Sequence, residues 1–302
     1  TENGDGGGIY ANNSIVNISN STISNNTASY SGGGIHIDDS NVTVNNSVVS
    51  ENFAEDSGAG LYMQGAGTDV EVTNCTFNGN TSPYGSGIFL TSDANIIINE
   101  SIFTDNTATE SGGAITAEDG DTMIIENTSF SENDAANTGG AIYSVETELQ
   151  MSKCVLNNNT AYTHGSAIST YASEFYIDNV TIACNTISSE LIPDDGATLH
   201  IRGNSSGEFS VKNSIIQYNS GGDKDIYIEN DGADYDIEFL YNNCEDDICT
   251  SNDDSNSSFT PDFVAQNNCI EPDLHLNSTS DCIDAGAPES ELDLDGTRAD
   301  MG

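Results

Sequence analysis

Apolar and polar positions alternate along this chain in short runs, and the runs recur at a fixed distance. Val70 and Val72 flank Glu71, a period of two that belongs to a strand with one buried face. The same triplet falls at Val16/Ile18, Val42/Val44, Ile96/Ile98, Met123/Ile125, Leu149/Met151, Phe175/Ile177 and Phe209/Val211. A Gly-rich motif precedes each triplet and closes on Ile9, Ile35, Leu61, Ile88, Ile115, Ile142, Ile168 and Leu199, in steps of 26, 26, 27, 27, 27, 26 and 31 residues. An apolar-x-x-Asn motif follows each, ending on Asn26, Asn52, Asn80, Asn106, Asn133, Asn159, Asn185 and Asn219. Three marks in one order, eight times over, make the chain an array of one unit.

No run has the helical period, and Gly, Asn, Asp and Ser fill the spaces between runs, as turns require. Three strands and three turns in about 26 residues predict one coil of a right-handed single-stranded parallel β-helix. A propeller blade needs four strands in roughly 40–45 residues, and the leucine-rich pattern is absent. Residues 1–222 give about eight coils, a rod roughly 40 Å long at the strand spacing of about 4.8 Å. Residues 223–302 give a final irregular coil and a disulfide-stapled cap. The eight Asn of the apolar-x-x-Asn motif are expected to stack as an amide ladder. Their other useful property, tolerance of left-handed backbone, suits a corner.

Charge narrows the partners. With 49 acidic and five basic residues, the formal charge is −44. Nucleic acid is excluded, since binding it needs Lys and Arg on phosphates; so is an anionic membrane surface. No stretch reaches the roughly 20 apolar residues of a membrane-spanning helix. Thr1 stands almost inside the first repeat, which is expected of a mature chain whose leader has gone. Fifteen Asn-x-Ser/Thr sequons occur. Besides Asn12, Asn25 and Asn80 they lie at Asn17, Asn20, Asn41, Asn45, Asn74, Asn99, Asn127, Asn158, Asn179, Asn204, Asn256 and Asn277. Few Lys and many sequons suit an extracellular or cell-surface glycoprotein. Asn20, Asn74, Asn127 and Asn179 each lie three residues before an inward apolar residue. They should face out in one column, on alternate coils roughly 10 Å apart. Asn80 is both sequon and ladder residue, so it should carry no sugar.

Seven cysteines cannot all pair. Cys244–Cys249 and Cys269–Cys282 are expected as staples of the region that lacks the repeat. Cys75 and Cys154 should act as small core hydrophobes, leaving Cys184, in a turn, as the odd thiol.

The paired Gly-Gly-Ala/Gly-Ile and Phe-x-x-Asn motifs resemble the repeats of chlamydial polymorphic outer-membrane proteins and of secreted right-handed β-helix proteins, over roughly residues 6–219. Gly58-Ala59-Gly60, Gly85-Ser86-Gly87 and Gly196-Ala197-Thr198 depart from the doubled Gly. The tail is similar to the C-terminal signature of "choice-of-anchor" proteins, in Asp273, His275, Leu276, Ser280, Cys282, Ile283, Asp284, Ala285, Gly286, Asp293, Asp295, Gly296, Arg298 and Gly302. The resemblance implies fold and surface location. Autotransport is not expected from it, because residues 1–302 show no membrane-barrel pattern. The signature normally runs on past this point, so a further segment is expected beyond Gly302.

Candidate chemistry is thin. Many β-helices act on polysaccharides, and the alternative function is a carbohydrate-active enzyme, a hydrolase or lyase. Five scattered cations do not make a groove for a uronate polymer. Hydrolysis needs a carboxylate pair, and Asp93, Glu118, Asp119 and Glu146 fall in neighbouring coils where they could line one face. Asp293 and Asp295 frame a short acidic turn that could hold calcium, and no other cofactor is expected. His36, His164, His200 and His275 are isolated. No capping helix precedes the first coil, so copies are expected to add end to end as a homopolymer. The reading is a structural or adhesive protein, self-assembling and glycosylated.

Overall fold

Each coil turns at single residues held in the left-handed backbone region, and those residues fall in columns. Gly32, Gly58, Gly85, Gly112, Gly139 and Gly165 make one, with φ from 53 to 71°. Asn20, Asn46, Asn74, Glu100, Asn127, Lys153, Asn179 and Asn213 make a second, with φ from 46 to 55°. A third holds Asn25, Glu51, Asp105, Glu132, Asn158, Cys184 and Tyr218, and a fourth holds Asn13, Asp39, Asp93, Asp119 and Glu146. Gly, Asn and Asp enter this region at small cost. The Glu, Lys, Tyr and Cys members are held there by the coils above and below.

A computed structural model describes residues 4–120, 122–189, 196–229, 236–244, 256–258, 261–265, 269, 273–288, 290 and 300–302. A representative coil has strands Leu61–Gln64, Asp69–Thr73, Thr76–Asn78 and Thr81–Tyr84. Each pairs in parallel with its copies one coil away, and the ladders grow into sheets of 16, 9 and 7 strands. Parallel crossovers of this kind are right-handed. The coil therefore has four strands, not the three expected. The fourth escapes the pattern because it buries one small residue per coil, at Ala28, Ala54, Ser82, Ala108, Ala135 and Ala161. Along Ile168–Asp178 and Ala197–Lys212 the first and second strands run on without a break, which joins their ladders into the 16-stranded sheet.

The interior is a set of columns. Phe77, Phe103 and Phe130 are fully buried, and their rings stack at 4.8 and 4.9 Å. Val42/Val44, Val70/Val72, Ile96/Ile98 and Met123/Ile125 are buried as expected of inward pairs, each side chain worth roughly 1.5–3 kcal/mol. The residue after the left-handed Gly stands where backbones nearly touch. A Cβ on Gly140 would meet the carbonyl oxygen of Ser166 at 2.2 Å.

The ladder continues past the eighth repeat through Lys224–Glu229, Asp236–Leu240 and Asn243–Cys244. Phe263–Ala265 then pairs antiparallel with Asp273–Leu276. The C-terminal segment folds back on the flank of the rod. Phe263, Cys282 and Met301 pack on Ile215, and Gly302 N donates to Asn213 O at 2.7 Å.

The staples differ from expectation. Cys184 is not an odd thiol; it is bonded to Cys269, 85 residues on. Cys282 is therefore free and fully buried, with the Asn243 amide donating to its Sγ at 2.9 Å. The fold-back explains the exchange: Cys269 comes to lie beside the seventh coil, whose corner carries Cys184. Spacing along the chain could not show this. Cys244 is disulfide-bonded, while Cys249 lies outside the described residues. Cys75 and Cys154 are buried free thiols, held by backbone carbonyls of Thr73 and Ser152.

Candidate functional site

The outward side chains of the first strands form a column rich in rings: Tyr10, His36, Tyr62, Phe89, Thr116, Tyr143, Ser169, His200 and Tyr227. Tyr10, His36, Tyr62 and Phe89 stack face to face, with centroids 5.1, 4.7 and 5.5 Å apart. The small Thr116 then interrupts the stack before Tyr143. Its hydroxyl turns away to the Ser111 carbonyl at 3.0 Å.

This gap opens a groove of about 530 Å³ lined by Asp56, Tyr84, Phe89, Glu110, Glu118 and Tyr143, with Ser57, Ser111 and Asn137. Two neighbouring strand sets build it. Phe89, Glu118 and Tyr143 stand on first strands, while Tyr84 ends one fourth strand and Glu110 is next to last in another. Burial, and then the nearby charges of Asp119 and Asp56, push the Glu118 carboxyl above its ordinary range. Burial and Glu118 do the same to the Tyr143 phenol. Burial, then Glu110, Glu118 and Asp56, raise Tyr84. The walls thus offer carboxylates, one of them raised in pKa, and phenol donors. Along the same column, burial above all pushes Tyr62 up to about 12, and burial lowers His36 against the pull of Asp5 and Asp38.

Of the acids singled out from sequence, only Glu118 faces this groove. Asp93, Asp119 and Glu146 form a corner column instead, joined by backbone bonds such as Asp93 N to Asp119 O at 2.7 Å. Asp56, Glu110 and the three rings were not foreseen. The residue after each aliphatic closer was the available signal, because it is aromatic in most coils. Among the described residues no Lys or Arg lines the groove. Arg202 pairs with Glu229 at 3.1 Å and lies over the Tyr171 ring; Lys212 pairs with Glu238 at 2.6 Å.

The amide ladder is continuous from Asn26 through Asn52, Asn80, Asn106, Asn133, Asn159 and Asn185 to Asn219, with Nδ2–Oδ1 distances of 2.9 to 3.1 Å. At Asn80 one Nδ2 proton goes to Asn106 and the other to the Val49 carbonyl. A second ladder, of hydroxyls, was missed. Ser21 N donates to Ser47 Oγ, Cys75 N to Ser101 Oγ and Ser101 N to Thr128 Oγ1. Scattered Ser and Thr carry no periodic hydropathy, so the pattern was silent.

Asn20, Asn74, Asn127 and Asn179 do share the second corner column. The first three are exposed, as are Asn17 and Asn41. Asn179 is half-buried and donates to the Asp300 carbonyl at 3.0 Å. Asn45, Asn99 and Asn158 are half-buried. Asn256 and Asn277 are committed to backbone, through the Phe239 and Phe263 carbonyls. Asn204 lies within the strand Ala197–Lys212. Asp293 and Asp295 lie outside the described residues; among the described ones no group of three His, Cys, Asp or Glu could hold a metal ion.

A family profile described as the right handed beta helix region matches residues 1–128 and again 52–205. No curated protein and no solved structure matches the chain.

Proposed function

This chain belongs to the right handed beta helix family, and we propose that it is an extracellular surface glycoprotein with a structural or adhesive role. The carrying observation is the Cys184–Cys269 disulfide, which fixes the C-terminal segment to the rod and belongs in an oxidising compartment. The exposed sequon column and the charge of −44 support the same reading. So does the finer likeness to chlamydial outer-membrane repeats and to "choice-of-anchor" tails, which is part of the proposal. End-to-end stacking belongs to it too. Among the described residues, the first-coil strands Ile9–Asn12 and Ile15–Ser19 pair on one side only.

Protein taken from its own cells should be released by protease treatment of intact cells. Its Cys184 and Cys269 peptides should stay joined until reduced. Recovery from the cytosol with both thiols reduced would overturn the proposal, and negative-stain fields of single rods alone would remove the assembly part.

A second reading, a carbohydrate-active enzyme, is favoured by one observation: Glu118, raised in pKa, stands in a groove with Asp56, Glu110 and three aromatic walls. A carboxyl group of raised pKa is the acid that glycoside hydrolysis requires, and a second carboxylate in the same groove is the other half of that pair. With no cation among the described lining residues, the groove suits neutral or amino sugars. Reducing-end release from such glycans, lost in Glu118→Gln, would establish this reading; no release from any of them would remove it.

A further inference from the structure

The first residue of each third strand stands on the outward face, and along the rod that column alternates. It reads Thr22, Val48, Thr76, Ile102, Ser129, Val155, Thr181 and Ile215. The hydroxyl members are the third residues of the sequons at Asn20, Asn74, Asn127 and Asn179. The aliphatic members sit on the coils between. Sequon and exposed hydrophobe thus take turns, rung by rung.

At the upper end the C-terminal segment covers the aliphatics. Ile215 is fully buried beneath Phe263 and Met301. Val155 faces a cleft whose far wall includes Leu274, Leu276 and Ile283. Lower down nothing in the described protein covers them: Val48 is 38% exposed and Ile102 46%. The side-chain amides of the next sequons reach to the coils that carry these two. Asn74 Nδ2 donates to Asn46 Oδ1 at 2.6 Å, in the coil of Val48. Asn127 Nδ2 donates to Asn99 Oδ1 at 2.9 Å, in the coil of Ile102. The atom that would bear a sugar is therefore turned toward the neighbouring rung, the one that carries an uncovered aliphatic.

We propose that Asn74 and Asn127 carry N-linked sugars whose first residue lies on Val48 and Ile102, so that carbohydrate covers the lower flank as the C-terminal segment covers the upper. The proposal rests on the extracellular reading above. In the linking step a bond forms between Nδ2 and the anomeric carbon and one amide proton leaves. The bond from that carbon to the phosphate oxygen of an activated sugar donor breaks, and the phosphate takes the electron pair. One N–H remains on the amide to keep its bond to the preceding coil. A pyranose has an apolar face as well as hydroxyls, so it can remove aliphatic surface from water while staying wet on its other side. Asn80, with both amide protons committed, stays bare, and at Asn179 the Asp300 carbonyl already occupies the approach.

The test uses the full chain secreted from a cell line that N-glycosylates. Glycopeptide mass spectrometry should find Asn74 and Asn127 occupied and Asn80 bare. With sugars trimmed to a single N-acetylglucosamine, the protein should melt on the order of 2 °C above Asn74→Gln, the shift of a weak contact in a chain of this size. In a Val48→Ser background that gap should vanish. The Ile102→Ser and Asn127→Gln pair gives the same comparison at the second seat. A gap unchanged by Val48→Ser and Ile102→Ser overturns the seat, and so does a bare Asn74 beside an occupied Asn17 or Asn41. Sugar-free protein isolated from the surface of its own cells also overturns it, while leaving the extracellular reading standing.

Discussion

Asn106 gives one side-chain proton to Asn133 Oδ1 at 2.9 Å and the other to the Phe77 carbonyl at 3.0 Å, so one amide ties three successive coils. Its own Oδ1 accepts from both the backbone and the side chain of Asn80. Every polar atom of a fully buried side chain is therefore used. Asn106→Ala leaves the two Asn80 donors without their acceptor, while Asn133 Oδ1 loses one of its two donors and keeps the backbone N–H of residue 106 at 3.2 Å. At about 1–3 kcal/mol for each buried orphan, with partial relaxation, the expected loss is about 2–5 kcal/mol. A lower urea midpoint with an unchanged slope would show it.

The Phe column should respond by volume rather than by hydrogen bonding. Phe103 is fully buried between Phe77 and Phe130. Phe103→Ala should cost about 3–5 kcal/mol, and Phe103→Leu, which keeps the column filled, less than about 1.5 kcal/mol. Urea unfolding followed by circular dichroism separates the two.

Reduction should loosen the C-terminal segment before the rod. The Cys184–Cys269 link closes a long loop, and Cys184→Ser or Cys269→Ser should cost about 2–4 kcal/mol. Limited proteolysis in reductant should release fragments from beyond the ninth rung while the amide-laddered coils resist. Native Cys282 should react slowly with iodoacetamide, because it is fully buried and burial raises its thiol pKa.

Acid should favour the groove. The Glu118 carboxyl is raised by burial and by Asp119 and Asp56, so the folded state holds its proton to higher pH than the unfolded chain does. Folding stability from this group is present below the ordinary carboxylate range and is lost as pH rises through the raised value. Glu118→Gln removes that loss. Its melting temperature should exceed the parent's at pH 7, and the gap should close near pH 4. A gap of equal size at both would mean that Glu118 is not strained by its setting.

The solenoid was legible because its signals repeat. Val70/Val72 and Phe77-x-x-Asn80 carry a period of two and a fixed offset, and repetition turned weak local marks into a firm register. The fourth strand was not legible, because Ala54 or Ala108 looks the same in a strand as in a turn. Nor was the Cys184–Cys269 link, which depends on a fold-back that no periodicity encodes. The groove fell between the two cases. Phe89 and Tyr143 stand at a repeating position, yet what makes a groove there is Thr116, a break in the series, and a periodic pattern encodes the rings but not the gap between them.

The alternation of Thr76 with Ile102 down the third strands has a bearing on how such a rod could change length. Sequons recur at Asn20, Asn74, Asn127 and Asn179, at intervals of 54, 53 and 52 residues, twice the coil. Removing or inserting one coil would set two hydroxyl rungs, or two aliphatic rungs, side by side. A pair of coils can be gained or lost with the order intact, so the natural increment of growth is the doublet.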